Sequence, residues 1–265
     1  MHRSLTAILL LLAGCGTTYQ VPTQGYAPIA PPAPASPDGG AVRAPADFLR
    51  VAARIEPVAE SFCREEQPGA PPIACDFAIV LDTDPRMPPN AFQTRDERGR
   101  PLIVFGASLL GQMNNDDEIA FVLSHEASHQ IADHLSKQQE QQSWGALVMG
   151  GIAVAAGQAS GVAPTEEQMR QAMDLGAFLG GRAYSQSYEL EADTLGAFIA
   201  ARAGYDPERG AMIFASPALA GGGELLSTHP ASGQRLATIA AVAAEIRRQR
   251  DAGLTPRPEY ANRGF

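Results

Sequence analysis

The sequence predicts an α+β fold that is mainly helical, with a small β-sheet beside a helix that carries a metal-binding pattern. Apolar residues recur at helical spacing in ADFLRVAARIEPVAESFCREE and again in the closing stretch SGQRLATIAAVAAEIRRQR. Two short runs rich in β-branched residues, FAIVLD at 77–82 and PLIVFG at 101–106, predict strands. HEASH at 125–129 then follows on a further predicted helix.

The middle helices have recognisable start signals. Asn114 or Asn115 caps the helix of the HEASH pattern, whose acidic first turn suits the helix dipole, and this helix is expected to reach about Gln139. Thr165 begins a capping box for another helix. The apolar run WGALVMGGIAVAAG at 144–157 is too short to span a bilayer. It is expected to form a buried or lid-forming helix, with membrane contact as the alternative.

The N-terminus, MHRSLTAILLLLAGCG, has a basic start, a short apolar run and a small-residue cleavage site, which is typical of a secretory signal. The cleavage region resembles a bacterial lipobox, so we expect a signal peptide at 1–14 and acylation of Cys15. A plain signal peptide is the alternative. The Pro/Ala/Gly-rich segment 15–45 is expected to be a tether. A folded domain at 46–250 and a C-terminal tail at 251–265 would follow.

These features predict a lipid-anchored protein on the periplasmic face of a bacterial membrane. Because glycine rather than aspartate follows Cys15, the outer membrane is favoured. In that oxidising compartment, Cys63 and Cys75 are expected to form a local disulfide, although one of them could instead bind a metal. The net charge of −9 and the pI near 5.0 argue against nucleic acid as a partner.

The HEASH pattern points to zinc chemistry. His125 and His129 are four residues apart, so they lie on one helix face and can both reach one tetrahedral Zn²⁺. Glu126 then flanks the metal, where it can take a proton from bound water. Because the HExxH pattern also arises by chance, the assignment needs a third ligand from elsewhere in the chain.

The best candidate for that ligand lies in YSQSYELEADTLGAF, at 184–198. Glu189 could bind zinc, and Asp193, one turn later, could accept a hydrogen bond from a ligand histidine. Glu191 is the competing ligand, but it would point away if the other two face the metal. A solvated acidic helix face is the alternative explanation of this cluster.

Together, HEASH and ELEAD resemble the M48 family of zinc metallopeptidases, in particular its soluble periplasmic lipoproteins. Further matching elements are Asn90-Ala91-Phe92, Leu109-Leu110, Asp117-Glu118, His134, and Thr228-His229-Pro230 with Arg235. The resemblance runs from about residue 75 to 240. It implies a zincin-like (gluzincin) metallopeptidase domain with its small sheet beside the HExxH helix.

The resemblance also implies a role for each site residue. One Zn²⁺ per chain would be bound by His125, His129 and Glu189. Glu126 would be the general base and Asp193 the residue that orients a ligand histidine. His229 would approach the fourth zinc position or the developing oxyanion, or would simply stabilise a turn.

The predicted function is that of a zinc metalloendopeptidase acting on extended polypeptides, with envelope proteins as clients in quality control. A peptide strand would add to the edge of the small sheet. One alternative is a non-catalytic, chaperone-like assembly factor on the same fold. Another is a deformylase-like hydrolase, in which an upstream cysteine such as Cys75 would be the third zinc ligand.

Overall fold

A computed structural model of the protein describes residues 17–22, 43–182, 185–216, 225, 229 and 233–261. Along these residues the helices and strands are α1 (Pro45–Glu66), β1 (Ala78–Asp82), β2 (Ala91–Arg95), β3 (Pro101–Gly106), α2 (Ala107–Leu110), α3 (Asp116–Ile131), α4 (His134–Ser160), α5 (Glu166–Arg182), α6 (Ser185–Arg202), α7 (Pro207–Gly210) and α8 (Gly233–Asp251). The predicted fold class, mainly helical with a small sheet, is confirmed. Within the described part of the chain, no helix is both long and apolar enough to cross a membrane.

The chain divides into two compact units. The larger contains Tyr19–Ala132 and Glu189–Phe265, and the smaller contains Met1–Thr18 and Asp133–Tyr188. The signal peptide and Cys15 lie outside the described residues, as does most of the expected tether.

The sheet of the larger unit has the strand order β1-β3-β2. β1 runs parallel to β3, whereas β2 is antiparallel to it. The two sequence-predicted strands are β1 and β3. β2 was missed because it lies in a segment dense in proline, glycine and charged residues, which reads as a long loop. β2 is an edge strand of this sheet.

Helix α1 packs one face into the core of the larger unit. Phe48, Val51, Ile55 and Phe62 are fully buried, as their helical spacing predicts. The Phe48 ring lies 5.4 Å from that of Phe105 on β3.

A disulfide closes the loop that follows this helix. It joins Cys63, in the last turn of α1, to Cys75, whose Cα atom is 5.5 Å away. This is the pairing expected from the sequence, and it leaves neither thiol available as a metal ligand. The deformylase-like alternative, which needed Cys75 on the metal, is therefore wrong.

Helix α3 begins where the sequence places it but ends early. The Asn115 side chain accepts a hydrogen bond from the backbone N–H of Glu118 at 3.1 Å, which makes Asn115 the cap. The helix ends at Ile131 instead of continuing to Gln139, so that boundary was wrong. Asp133 adopts a left-handed backbone conformation (φ 53°), which breaks the helix before α4 starts.

The smaller unit is a hairpin of α4 and α5. The predicted capping box is present, because Thr165 and Gln168 exchange side-chain and backbone hydrogen bonds at 2.9 and 3.2 Å. The apolar run 144–157 is helical, as expected. Of the two expected forms, the buried one is wrong, and the lid-forming one stays a prediction. Its large side chains, Trp144 and Leu147 among them, are about half exposed.

Residues 19–22 of the expected tether belong to the larger unit. Tyr19 is 2% exposed and forms an isolated β-bridge with Tyr260 of the C-terminal tail. Its backbone N–H donates to Glu191 on α6 at 2.7 Å, and the Tyr260 hydroxyl donates to Glu66 on α1 at 2.6 Å. Tyr19 provides the aromatic anchor in a segment otherwise poor in large apolar residues.

Candidate metal centre and active site

Four side chains that can bind a metal converge in the larger unit. His125 and His129 come from α3, Glu189 from α6, and His229 from the segment before α8. One ligand atom of each lies within 4.8 Å of those of the other three. The i,i+4 spacing places the two α3 imidazoles together, with their Nε2 atoms 3.0 Å apart.

A glycine lets α6 approach α3 closely enough to add its carboxylates. A Cβ atom at Gly196 would lie only 3.1 Å from the backbone nitrogen of His125 and 3.2 Å from its Cα. Since the contacted atoms belong to the backbone, they cannot move aside for a side chain. Gly196 thus permits the helix contact that places Glu189 and Asp193 against the histidines.

The spacing of the four ligand atoms suits a small cation. His125 Nε2 lies 3.2 Å from His229 Nδ1 and 3.3 Å from Glu189 Oε2, and His129 Nε2 lies 3.4 Å from Glu189 Oε1. Ligand bonds of 2.0–2.1 Å in a tetrahedral arrangement give ligand separations of about 3.3 Å. The donor set of imidazole nitrogens and a carboxylate oxygen is also the one that Zn²⁺ prefers.

Asp193 determines which nitrogen of His125 faces this cluster. Its Oδ1 lies 3.0 Å from His125 Nδ1, so that nitrogen carries the proton and the Nε2 lone pair points to the other ligands. Asp193 is fully buried and is in turn held by Arg235, whose Nε and Nη2 donate to its two oxygens at 2.7 and 2.6 Å. This bidentate pair fixes the carboxylate, and through it the His125 ring.

The negative charges around His125 favour one positive charge at the centre of the ligand cluster. Burial alone would lower the pKa of His125, but hydrogen bonds to Asp193 and Glu189 outweigh it and raise the pKa to about 9. Burial would likewise raise the pKa of Glu189, but His229 and His125 hold that pKa well below its usual range. A metal cation bound by neutral histidines would supply the same positive charge as the proton on His125. The metal and that proton therefore compete for the site.

Glu126 has the environment of a general base. It is 1% exposed, and its Oε1 has no hydrogen-bond partner among the described residues. Burial raises the pKa of Glu126, although His229 and His125 oppose the shift. Burying a carboxylate oxygen without a hydrogen bond costs folding free energy. A buried oxygen of this kind beside a metal-binding cluster is therefore a candidate to accept a proton from water or substrate.

His229 occupies the fourth side of the ligand cluster. Its Nδ1 lies 2.9 Å from Glu189 Oε2, and its Nε2 lies 3.5 Å from Glu126 Oε1. Its backbone N–H donates to Leu225 at 2.8 Å, and its carbonyl accepts from Arg235 at 3.0 Å. In this arrangement it fills the position that a catalytic zinc site normally leaves open for water. Its neighbours Thr228 and Pro230 lie outside the described residues.

Two other candidates from the sequence are not members of the ligand cluster. Glu191 is fully buried, but it accepts the hydrogen bond from Tyr19. His134 belongs to the smaller unit, where it starts α4 and stacks on Tyr188, with ring centroids 4.5 Å apart.

Arg235 is the functional residue whose role the sequence did not reveal. It is 1% exposed, and its guanidinium lies 3.8 Å above the centre of the Phe214 ring. The position of Arg235 in the first turn of an amphipathic helix was a weak signal, because an arginine there is normally predicted to be exposed to solvent. Only the fold shows that it reaches Asp193, 42 positions earlier in the chain.

An HExxH helix, a third ligand that is a glutamate from a second helix, and a buried glutamate beside them are typical of metal-dependent hydrolases with a zincin-like site. The model of peptidase family M48 matches residues 45–243. The chain belongs to peptidase family M48.

Two similar proteins are both mitochondrial metalloendopeptidases called OMA1. The Arabidopsis thaliana protein is 29% identical over 142 residues, which cover 52% of this chain and 27% of that protein. The Saccharomyces cerevisiae protein is 31% identical over 169 residues, which cover 60% of this chain and 45% of that protein. The chain thus spans less than half the length of either relative.

Proposed function

We propose that this protein is a zinc-dependent endopeptidase that cleaves polypeptides. Membership of the M48 family supports peptidase chemistry. The observation that carries the proposal is the buried Oε1 of Glu126, which has no hydrogen-bond partner among the described residues and lies 3.5 Å from Nε2 of the cluster residue His229. A purely structural metal site has no need of such a base. His125, His129 and Glu189 would hold the zinc.

The side chains of the site have distinct tasks in peptide hydrolysis. When bound, zinc polarises the scissile carbonyl and lowers the pKa of water towards about 7. Glu126 accepts the proton of the attacking water at Oε1 and later passes it to the leaving nitrogen. Asp193 keeps the proton of His125 on Nδ1 throughout. Since His229 fills the open side in this arrangement, it must move aside or donate to the substrate when peptide binds.

The edge strand β2 is the proposed docking site for substrate. It lies at the border of the sheet, and Gln93 on β2 donates to the Gln130 side chain on the metal helix α3 at 2.8 Å. Phe92, the preceding residue, is 39% exposed. An extended peptide paired with this strand would run past the metal helix, and its backbone would supply affinity without sequence preference.

The proposed location is the periplasmic face of a bacterial membrane, through lipid on Cys15. The support is the leader MHRSLTAILLLLAGCG together with the disulfide, which suits an oxidising compartment. Clients there would be envelope proteins that expose extended segments, which corresponds to a quality-control role.

Glu126→Gln tests the catalytic proposal. We expect the variant to bind zinc as the parent does, and to cleave a fluorescently labelled unfolded protein roughly 100- to 10,000-fold more slowly, the range for loss of a general base. Glu118→Gln is the matched control, because Glu118 is a buried carboxylate of the same helix that accepts from the Asn114 backbone N–H and is not in the ligand cluster. It should cleave like the parent.

Undiminished cleavage by Glu126→Gln would contradict the mechanism. Full rescue of an envelope-stress phenotype by that inactive variant would instead favour a chaperone-like role.

A further inference from the structure

The hairpin of the smaller unit has a band of large apolar side chains on its outside. All are between 42% and 60% exposed. This outer apolar band consists of Trp144, Leu147 and Val148 on α4 and Leu175, Phe178 and Leu179 on α5. The three residues on each helix are spaced i, i+3 and i+4, so they share one helix face. Exposed apolar faces of this kind are typical of sites of interaction.

Glycines form the closest contacts in the seam between the two helices, and Met149, Met169 and Met173 pack beside them. A Cβ atom at Gly145 would overlap the carbonyl oxygen of Gly176, and one at Gly180 would overlap that of Gln141. A helical hairpin surrounded by water is expected to bury its large apolar residues between its two helices. Small residues inside and large apolar residues outside are instead the pattern of helices that pack in lipid, where contact between large apolar groups brings no gain.

Charges on the hairpin are arranged around the band. No charged residue lies between Glu140 and Glu166 in the sequence, so the outer face of α4 beyond its first two turns is uncharged. The charged residues of α5 precede Leu175, apart from Arg182 at its end. On α5, charged residues therefore flank the band at both ends. On α4, no charged residue interrupts it.

Chain continuity indicates what covers the band. Lys137 on α4 donates to the Thr18 hydroxyl at 2.8 Å. Thr18 follows Cys15, the proposed site of lipidation, by three residues, and a chain of three residues spans at most about 11 Å. Trp144 follows Lys137 by seven residues, which places it on the same helix face about 10 Å further along.

Lys137 and Arg182 are two cations at the end of the hairpin that contacts Thr18, where the acidic residues Asp133 and Glu140 also lie. Gln138 donates to the Gly181 carbonyl at 3.4 Å, so Arg182 and Lys137 lie at a similar level. The Arg182 guanidinium is 5.3 Å from the centre of the Phe178 ring, at the margin of the band. Cations beside an apolar surface suit the phosphate layer of a membrane, because their stems lie on the apolar side and their charges reach the headgroups.

We propose that the outer apolar band binds a phospholipid bilayer, with the hairpin lying in the interfacial layer beside the acyl chains on Cys15. An apolar face buried in the interface adds to membrane binding in proportion to its apolar area, so the hairpin would add to the attachment that the acyl chains provide. The reach argument rests on the proposed anchor, whereas the exposed band and its glycine seam are independent of it.

Trp144 is the one tryptophan of the chain, so its fluorescence reports on the band directly. The full chain, purified with its native N-terminus, is reconstituted into phosphatidylethanolamine–phosphatidylglycerol vesicles, with or without bromine on the acyl chains. We expect a blue-shifted emission and a loss of intensity with brominated lipid, because an interfacial helix buries its apolar face roughly 5–10 Å into the boundary of headgroups and acyl chains.

Substitutions in the band provide the comparison. Leu147→Gln combined with Phe178→Gln should remove most of the bromine quenching while leaving the fold intact, since both side chains are exposed. Leu254→Gln is the matched control. That leucine is 59% exposed, against 60% for Leu147, but lies outside the hairpin, so quenching should match the parent.

The absence of bromine quenching in the parent would overturn the inference, whatever the state of Cys15. A blue shift that depends on protein concentration and not on bromine would also overturn it, and would identify a second copy of the chain as the partner. Mass spectrometry of the N-terminal peptide tests lipidation separately. Because the fluorescence needs neither zinc nor cleavage, failure of the proposed peptidase activity would be seen independently.

Discussion

Replacing Asp193 with asparagine removes one negative charge from the centre of the site and changes little else in shape. Asp193 is fully buried between the Arg235 guanidinium, at 2.6 and 2.7 Å, and His125 Nδ1, at 3.0 Å. Removing such a partner of a ligand histidine typically lowers metal affinity about 10- to 100-fold. We expect the zinc dissociation constant of Asp193→Asn to rise by that factor.

The same substitution leaves a buried cation without its main counter-charge. Breaking a buried pair in this way costs about 3–5 kcal/mol. Glu189 Oε2 lies 3.3 Å from Arg235 Nη1 and remains as a counter-charge in the variant. The lower end of that energy range, about 3 kcal/mol, therefore applies. At roughly 2–4 °C per kcal/mol for a domain of this size, we expect the metal-free melting temperature to fall by about 6–12 °C.

The assay is a zinc titration against a chelating dye, paired with thermal unfolding of the metal-free protein. Glu191→Gln is the matched control, because Glu191 is a fully buried carboxylate of the same helix that binds the Tyr19 backbone instead of a ligand histidine. It should lose stability and keep its zinc affinity. Unchanged zinc affinity in Asp193→Asn, or an equal loss in both variants, would refute the reasoning.

Three further predictions follow from the site and the disulfide. His229→Ala should change the rate of peptide cleavage while leaving one zinc bound, because His229 fills the fourth side of the cluster; identical zinc affinity and cleavage would remove it from the mechanism. Since the raised pKa of about 9 keeps His125 protonated at pH 7 without metal, zinc binding should release a proton and weaken as the pH falls. Calorimetry in buffers of different ionisation enthalpy would detect that proton, and an enthalpy independent of the buffer would contradict it. Replacing Cys63 and Cys75 with alanine should lower the free energy of unfolding by about 3 kcal/mol, the loop-closure value for a 12-residue separation, without loss of zinc. Loss of zinc in that variant would restore a cysteine as a ligand candidate.

The parts of the site that follow from local helix geometry could be predicted from the sequence. His125 and His129 meet because residues four apart share a helix face, and the same rule pairs Glu189 with Asp193. The start of α3 was likewise readable from its cap. These features depend on neighbours a few residues away, and periodicity reports on such neighbours reliably.

Long-range and compensating features could not be read in this way. The contact of Arg235 with Asp193 depends on how α8 packs against α6, which no local pattern encodes. Strand β2 was hidden because turn residues surround it on both sides. Residues 144–157 were wrongly predicted to be buried in the protein. An apolar helix face shows that contact with water is unfavourable, but it does not show whether protein or lipid covers the face.

The most direct test of the central claim is the zinc content of the full chain, measured beside Glu189→Ala. The parent should contain about one zinc per chain, and the variant, which lacks an α6 ligand of the cluster, should lose most of it. A well-folded parent without zinc, or a variant that binds zinc as tightly as the parent, would contradict the assignment of this cluster as the catalytic metal centre.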